Sequence, residues 1–423
     1  MQLRCRVAEP NCVAERSCLP GTTLALPQRL YNTALVAHAD ALVVGGGVIG
    51  LATAWKAATR GLSVTLVDPA PAQATSRVAA GMLAPVSELH YGEERLLELN
   101  IASARRYPAF VAELEEAAGR AVGYRRCGTL IVAADAGDRD QLLELCDYQR
   151  SFGLESGWLS SRDCREEEPF LSPRVQGGIL AADDHQVDTR HLLGALLAAT
   201  ITAGVRVLHQ RAERIIVSRS GRAEGAVIES GGRLLADRTV LAAGCWSGTL
   251  SGIPSHAACP VRPVKGQILR LKGPSDKEYL RHTVRGIVNG SPVYIVPRGD
   301  GRMVVGATSE ERGFDTSVTA GAIYDILRDA RQLFPQVAEL ELVEARAGLR
   351  PGTPDNRPFA GESGLDGLLL ATGHQRNGVL LTPLTADTIV SCLTGEDGDD
   401  PAVASMLDYC APSRAHPALA PAP

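Results

Sequence analysis

The run from Ala41 to Asp68 constrains this chain more than any other part of it. Ala41-Leu42-Val43-Val44 has the length and apolar character of a buried strand, and Gly45-Gly46-Gly47-Val48-Ile49-Gly50 follows at once with the spacing G-x-G-x-x-G. Ile49, Ala52, Ala57 and Ala58 then give a small apolar helical face that Gly61 stops, and Leu62 to Val67 reads as a second strand ending in Asp68. Each part has a physical task. Gly45 permits a tight turn, Gly47 lets a pyrophosphate approach the backbone, and Gly50 lets helix and strand pack closely. The helix that opens at Val48 and Ile49 offers free amides and a partial positive charge to the phosphates. Asp68, followed by Pro69, stands where a carboxylate accepts hydrogen bonds from an adenosine ribose. Strand, glycines, helix, strand and acid in this order point to a dinucleotide on a Rossmann-like α/β domain.

The rest of the composition mainly excludes. A length of 423 residues favours one large or two closely joined domains. A net charge of −5 with 22% charged residues gives no electrostatic reason to expect nucleic acid or an anionic membrane as partner. Lysine occurs only at 56, 265, 272 and 277 among 43 basic residues, so any one arginine is weak evidence by itself. The ten cysteines form no C-x-x-C pair and no zinc spacing, which suits reduced thiols in a cytoplasmic protein. Ala41 to Trp55 carries no charge, yet it falls short of the roughly 20 residues of a spanning helix. Residues 1–37 lack periodicity and any continuous apolar run, and read as a disordered extension or an over-extended start. Two glutamates count against a transit peptide there. The stretch after Gly395, rich in Asp, Ala and Pro, reads as a frayed tail, with 401–423 as its last part.

Residues 93–171 read as amphipathic helices with one strand at 128–133. A polar cap at Val187-Asp188-Thr189-Arg190 opens a helix that buries Leu192, Leu193, Leu196 and Leu197 and stops at Gly204. Runs at 205–208, 214–217, 226–229 and 239–242, separated by glycine turns, read as a β-meander returning to the main sheet. Runs at 261–271, 293–297 and 302–306 form a separate antiparallel set, with Gly299-Asp300-Gly301 as a hairpin turn. The expectation is a Rossmann-like dinucleotide-binding domain (38–92, 172–257 and 340–400) interleaved with an antiparallel-sheet substrate-binding domain (93–171 and 258–339).

Three further stretches bear on chemistry. Thr75-Ser76-Arg77-Val78-Ala79-Ala80-Gly81-Met82 offers small and hydroxyl residues beside the pyrophosphate, or simply a helix capped by Thr75 or Ser76. Ala347-Gly348-Leu349-Arg350-Pro351-Gly352-Thr353-Pro354 holds an arginine braced by glycine and proline. Gly373-His374-Gln375-Arg376-Asn377-Gly378-Val379-Leu380-Leu381-Thr382-Pro383 runs from a strand at 368–371 through glycine into an apolar helix. Its free amides suit the negative charge of a reduced flavin ring.

These motifs, together with Tyr294-Ile295-Val296-Pro297-Arg298 and Arg262-Pro263-Val264-Lys265-Gly266-Gln267, resemble the glycine oxidases of the D-amino-acid oxidase superfamily over residues 38–400. The resemblance implies FAD and an enzyme that oxidises glycine, sarcosine or small D-amino acids to the imine. O₂ would give H₂O₂, and the imine would pass to a thiazole synthase of thiamine biosynthesis. It also implies a homo-oligomer. It makes Arg350 the carboxylate anchor and Tyr294 a second donor to that carboxylate. Arg376 becomes a substrate contact through side chain or carbonyl. Gly81, Met82, Leu83, Ala212 and residues 374–380 (His374, Gln375, Arg376, Asn377, Gly378, Val379, Leu380) would lie against FAD. His374 is given a binding role, because hydride transfer from a neutral amine needs alignment rather than a protein base.

Two departures matter. Gly352-Thr353-Pro354 stands where related sarcosine oxidases carry a flavin-bonding cysteine, so FAD is expected to be non-covalent. Asn289-Gly290-Ser291-Pro292-Val293 departs from the closest glycine oxidases, which bears on pocket width. Two rival readings are a dehydrogenase of the same fold that passes electrons to a quinone, and a flavin-binding subunit without catalysis. Loss of Arg350 or Tyr294 would have favoured the latter, and both are present.

Overall fold

The computed structural model describes residues 38–288, 290–396 and 399–415, so the expectations for residues 1–37 and 416–423 lie outside the described residues. His38–Val44 is the central strand of an eight-stranded sheet. It pairs in parallel with Val64–Val67 on one side and Arg233–Leu241 on the other, and Arg206–Leu208 and Leu368–Thr372 extend the parallel set. Side chains alternate across a strand, and that alternation sets the layers. Ala41 and Val43 pack under the helices Val48–Thr59, Glu94–Ala118, Thr189–Thr202 and Thr382–Thr394. Leu42 and Val44 face the other way, into a cluster with Ile215, Ala226 and Ile228 of the strands Ala212–Val217 and Ala223–Ile228.

The second eight-stranded sheet is antiparallel except where Thr283–Val288 runs parallel to Thr129–Ala133. The helix Ala320–Leu333 covers one face of it: Val293, Ile295, Met303 and Val305 meet Ile326, Ala330 and Leu333 there. The residues between them in sequence, Tyr294, Val296 and Val304, point to the opposite face, toward Ala80 and Met82 of the first domain. The expected class, a mixed α/β fold with a Rossmann-like part and an antiparallel sheet, is the one that forms.

Several readings need correction. Arg206–Leu208 is no part of the meander; it pairs in parallel with Val64–Val67 at the sheet edge. Two segments assigned to the nucleotide domain pair in the second sheet instead: Gly178–Ala181, beside Thr129–Ala133, and Glu341–Gly352, beside Arg262–Lys272. Strand pairing is long-range, and periodicity along one segment does not reveal its partner. Thr283–Val288 was not foreseen at all. The supposed frayed tail contains the helix Pro401–Tyr409, capped by Asp400, which accepts from the Ala402 amide. Its Val403 and Met406, with Cys410 just beyond, are buried against Leu96, Leu99, Leu381 and Leu384. Three apolar residues at helical spacing outweigh the polar composition around them. No helix among the described residues is long and apolar enough to cross a membrane.

Candidate active site

A cavity of about 980 Å³ runs from the C-terminal ends of the parallel strands to the inner face of the second sheet. At one end lies the glycine turn. Gly45 has φ +113°, and a side chain there would collide with the Ala242 carbonyl; a side chain on Gly50 would collide with the Gly45 carbonyl. Only glycine permits the turn and the close helix–strand packing that follows. Asp68 accepts from the Gly46 amide at 2.7 Å through one oxygen and from the Ala70 amide at 2.7 Å through the other. The carboxylate therefore shapes the loop, while still lining the cavity where a ribose would lie. Ser76 Oγ accepts from the Val48 amide at 3.2 Å, and Thr75 Oγ1 donates to the Leu349 carbonyl at 3.0 Å. Neither hydroxyl caps the short helix Thr75–Val78, whose N-cap is Ala74. The amides of Gly47 and Ile49 have no acceptor among the described residues, as a pyrophosphate cradle requires.

The segment 373–381 forms the cavity's middle. Gln375 sits in the left-handed region at φ +46°, and Leu381 donates to the Asn377 carbonyl at 2.8 Å, so helical winding begins before the helix proper at Thr382. Tyr107 Oη donates to the Val379 carbonyl at 2.6 Å and Ser103 Oγ to the Leu380 carbonyl at 2.7 Å. Those carbonyls are held toward the helix Glu94–Ala118. In a trans peptide the Leu380 amide points opposite to the Val379 carbonyl, hence toward the cavity. The amides of Gly378, Val379 and Leu380 have no acceptor among the described residues, and all three residues line the cavity. Unpaired donors beside an apolar slot fit the polar edge of a flavin ring. His374 is buried with Nε2 3.0 Å from Thr385 Oγ1, and burial pushes its pKa down to about 3. Its imidazole is neutral at any working pH, in keeping with a binding role rather than acid–base work.

The inner face of the second sheet is the floor of the far end. Arg350, on Glu341–Gly352, lies flat over Gly266 of the neighbouring strand, where any side chain would overlap its guanidinium. Tyr294 lies in the same way over Gly306. Two glycines thus make room for the two side chains that the sequence singled out. Arg350 Nη1 donates to the Thr308 carbonyl at 3.1 Å, and no carboxylate among the described residues pairs with it. Burial pushes the Tyr294 phenol up and Arg350 pulls it back, so the hydroxyl stays a proton donor. A guanidinium without a counter-ion beside a phenol donor is an anchor for one carboxylate.

Arg376 is placed differently. Its guanidinium pairs with Glu88 at 3.0 Å and with Glu93, and Nη1 donates to Gln375 Oε1 at 3.0 Å. The side chain is consumed by protein partners, which leaves the main-chain carbonyl for any substrate contact. Gly50 and Leu83 do not line the cavity; Leu83 is buried in the core beneath the first helix. The other expected contacts do: Pro69, Gly81, Met82, Val48, Asn377 and Ala212 are all on its wall. Residues not foreseen include Gly266, Thr308, Arg285 and Glu88. Gly266 stood inside the quoted R-P-V-K-G-Q motif, whereas Glu88 and Arg285 carried no local signal. Arg298, the arginine of Y-I-V-P-R, is buried and donates to Gln186 Oε1 at 2.8 Å, the Val187 carbonyl at 3.2 Å and the Ala80 carbonyl. It pins the 79–82 loop against the cavity from behind.

Residues 40–391 match the model of a family described as FAD dependent oxidoreductase. The chain belongs to this family of FAD-dependent oxidoreductases. Among relatives of this oxidoreductase, the bifunctional protein ThiO/ThiG of Synechocystis is 38% identical over 352 residues, covering 83% of this chain and 51% of that protein. The glycine oxidase of Geobacillus kaustophilus is 33% identical, covering 82% of this chain and 90% of that one. The crystal structure of glycine oxidase from Geobacillus kaustophilus superposes with a TM-score of 0.80 at 31% identity, over 88% of this chain and 98% of that chain. The oxidoreductase spans about half the length of the bifunctional relatives it matches. FAD is its cofactor, and the unpaired amides at the glycine turn and in the 378–380 loop accord with that. No cysteine lines the cavity among the described residues.

Proposed function

We propose that this oxidoreductase is a glycine oxidase that converts glycine, and also sarcosine and small D-amino acids, to the imine. The observation that carries the reading is Arg350, a guanidinium without a carboxylate partner, set beside Tyr294 on the floor of the FAD cavity. FAD held by the glycine turn and the 374–380 loop would supply the hydride acceptor for the α-carbon, with O₂ as the terminal oxidant giving H₂O₂. The chain's own residues bind and aim. Arg350 and Tyr294 hold the substrate carboxylate, and the Arg376 carbonyl is available to accept from the neutral amine. Neutral His374 takes no proton from substrate. Hand-over of the imine to a thiazole synthase belongs to the same proposal and is in keeping with the bifunctional ThiO/ThiG relatives; a cytoplasmic location and a homo-oligomer are further parts of the proposal.

An oxygen electrode tests this directly: purified yellow protein should consume O₂ with glycine, sarcosine and D-alanine and release H₂O₂. No O₂ uptake, with reduction of a quinone instead, would favour a dehydrogenase. Acid precipitation should leave the yellow colour in the supernatant, since Thr353 and Pro354 supply no thiol; a yellow pellet would mean a covalent flavin.

A further inference from the structure

We propose that Glu88 is a charge filter that restricts this site to substrates with a single negative charge. Glu88 lies on the cavity wall, buried, between two arginines: it pairs with Arg285 at 2.6 Å and with Arg376 at 3.0 Å. Arg376 also pairs with Glu93. Burial alone would raise the Glu88 pKa, yet Arg285 and Arg376 hold it below its ordinary value, so the carboxylate is ionised. Two guanidiniums and two carboxylates therefore cancel. The nearby His90 is kept neutral by burial and by Arg376, Tyr294 is protonated, and Arg270, which shares Glu344 with Arg190 and Arg346, lies off the cavity wall. Of the remaining ionisable groups of the wall, His374 is neutral, and Asp68, Arg211 and Glu213 lie at the nucleotide end. Among the described residues that line the substrate end of the wall, Arg350 is left as the one cation without a carboxylate partner.

That balance decides what can bind. A glycine-type substrate brings one carboxylate and a neutral amine, which Arg350 neutralises. A second carboxylate on the nitrogen or on the side chain would enter a partly dehydrated region already at balance, and it would face Glu88. The geometry nevertheless holds a latent place for it. Arg285 is the direct cross-strand neighbour of Tyr294, and its hydrogen bond to Ser87 Oγ and its ion pair with Glu88 both use Nη1. Nε and Nη2 have no protein partner among the described residues. The repulsive element, not a missing donor, gives the discrimination, as specificity built against a wrong partner does.

The inference rests on the amino-acid reading of the site, and the test separates the two. Acetate and malonate are titrated into the FAD-loaded protein, with the perturbation of the flavin absorbance as readout, and sarcosine is compared with N-(carboxymethyl)glycine as substrate. In the wild type, malonate should bind at least tenfold more weakly than acetate. Glu88→Gln, which keeps shape and removes charge, should raise the malonate-to-acetate affinity ratio at least tenfold. It should raise the kcat/KM ratio of N-(carboxymethyl)glycine to sarcosine by a similar factor. Arg285→Gln removes a positive charge instead and should move both ratios the other way, so the idea stays testable if Glu88→Gln does not accumulate. Ratios unchanged in the variants, or a wild type that already binds malonate as well as acetate, would overturn the filter while leaving the amino-acid reading intact. Failure of acetate and of every amine to bind would remove that reading itself.

Discussion

The carbonyl of Pro351 accepts a hydrogen bond from the amide of Gln375 at 3.0 Å. This single bond ties the residue after Arg350 to the residue after His374, and so sets Arg350 in register with the loop whose unpaired amides line the cavity. Gln375 reaches it only in the left-handed region, at φ +46°. A β-branched residue pays for that conformation by about 1–3 kcal/mol, whereas glycine adopts it freely. Gln375→Val should therefore lower the thermal midpoint of the FAD-loaded protein clearly more than Gln375→Gly does. Equal losses would mean that the Gln375 side chain, which accepts from Arg376, matters more than its backbone.

Asp68 holds two backbone amides, at Gly46 and at Ala70, in addition to lining the cavity. Removing it frees the glycine turn as well as any cofactor contact. Hydrogen bonds to a charged group contribute about 1.5–3 kcal/mol each. Asp68→Ala should weaken FAD binding by at least tenfold, measured by quenching of FAD fluorescence on titration into apoprotein. Asp68→Asn keeps one acceptor and should lose less. An unchanged dissociation constant in the alanine variant would show that the turn holds without the carboxylate.

His374 gives a pH dependence with a definite sign. Burial lowers its pKa to about 3 from an ordinary 6.5, so between these values the unfolded chain binds a proton that the folded protein does not. Its contribution is complete above pH 6.5 and is lost progressively as pH falls toward 3. Asp184, raised to about 6 by burial, acts in the opposite sense between its ordinary value and 6, so the wild-type curve alone does not isolate either group. The difference does. Denaturant titrations at pH 7.5 and pH 4.5 should show wild type losing more stability on acidification than His374→Gln; parallel losses would contradict a buried neutral imidazole.

What the sequence made legible follows a physical division. The glycine turn, Asp68 and the 373–381 segment were readable because a local backbone requirement fixes the residue type: Gly45 at φ +113° admits no other. Arg350 and Tyr294 were reached only through resemblance, and the reason they can lie side by side rests in Gly266 and Gly306, on two other strands. Glu88, Arg285 and Arg376 come from a loop, a strand and a second loop nearly 300 residues apart in total span, and are joined by ion pairs alone. No periodicity encodes such a cluster. The same limit applies to Glu341–Gly352, whose pairing with Arg262–Lys272 joins segments about 80 residues apart and leaves no local pattern in either.

Arg350 carries the functional assignment, and its removal is the sharpest test of it. Glycine has no side chain, so its carboxylate is almost the sole handle by which the α-hydrogen is aimed. The guanidinium lies over Gly266, is anchored by one bond to the Thr308 carbonyl, and keeps its remaining donors for a ligand. Arg350→Ala removes a charged two-pronged contact worth about 1.5–3 kcal/mol per bond, so kcat/KM for glycine should fall roughly ten- to several-hundred-fold. Lysine should restore only part, because it keeps the charge without the fork and reaches over the glycine less far. The variants should remain yellow, since the anchor sits on the second sheet while the unpaired amides that suit FAD lie on the glycine turn and the 378–380 loop. An amine lacking a carboxylate, if turned over, should lose little. Steady-state oxidation of glycine by wild type and Arg350→Ala at matched flavin content decides the matter, and a loss below about threefold would take Arg350 out of the active site and the amino-acid assignment with it.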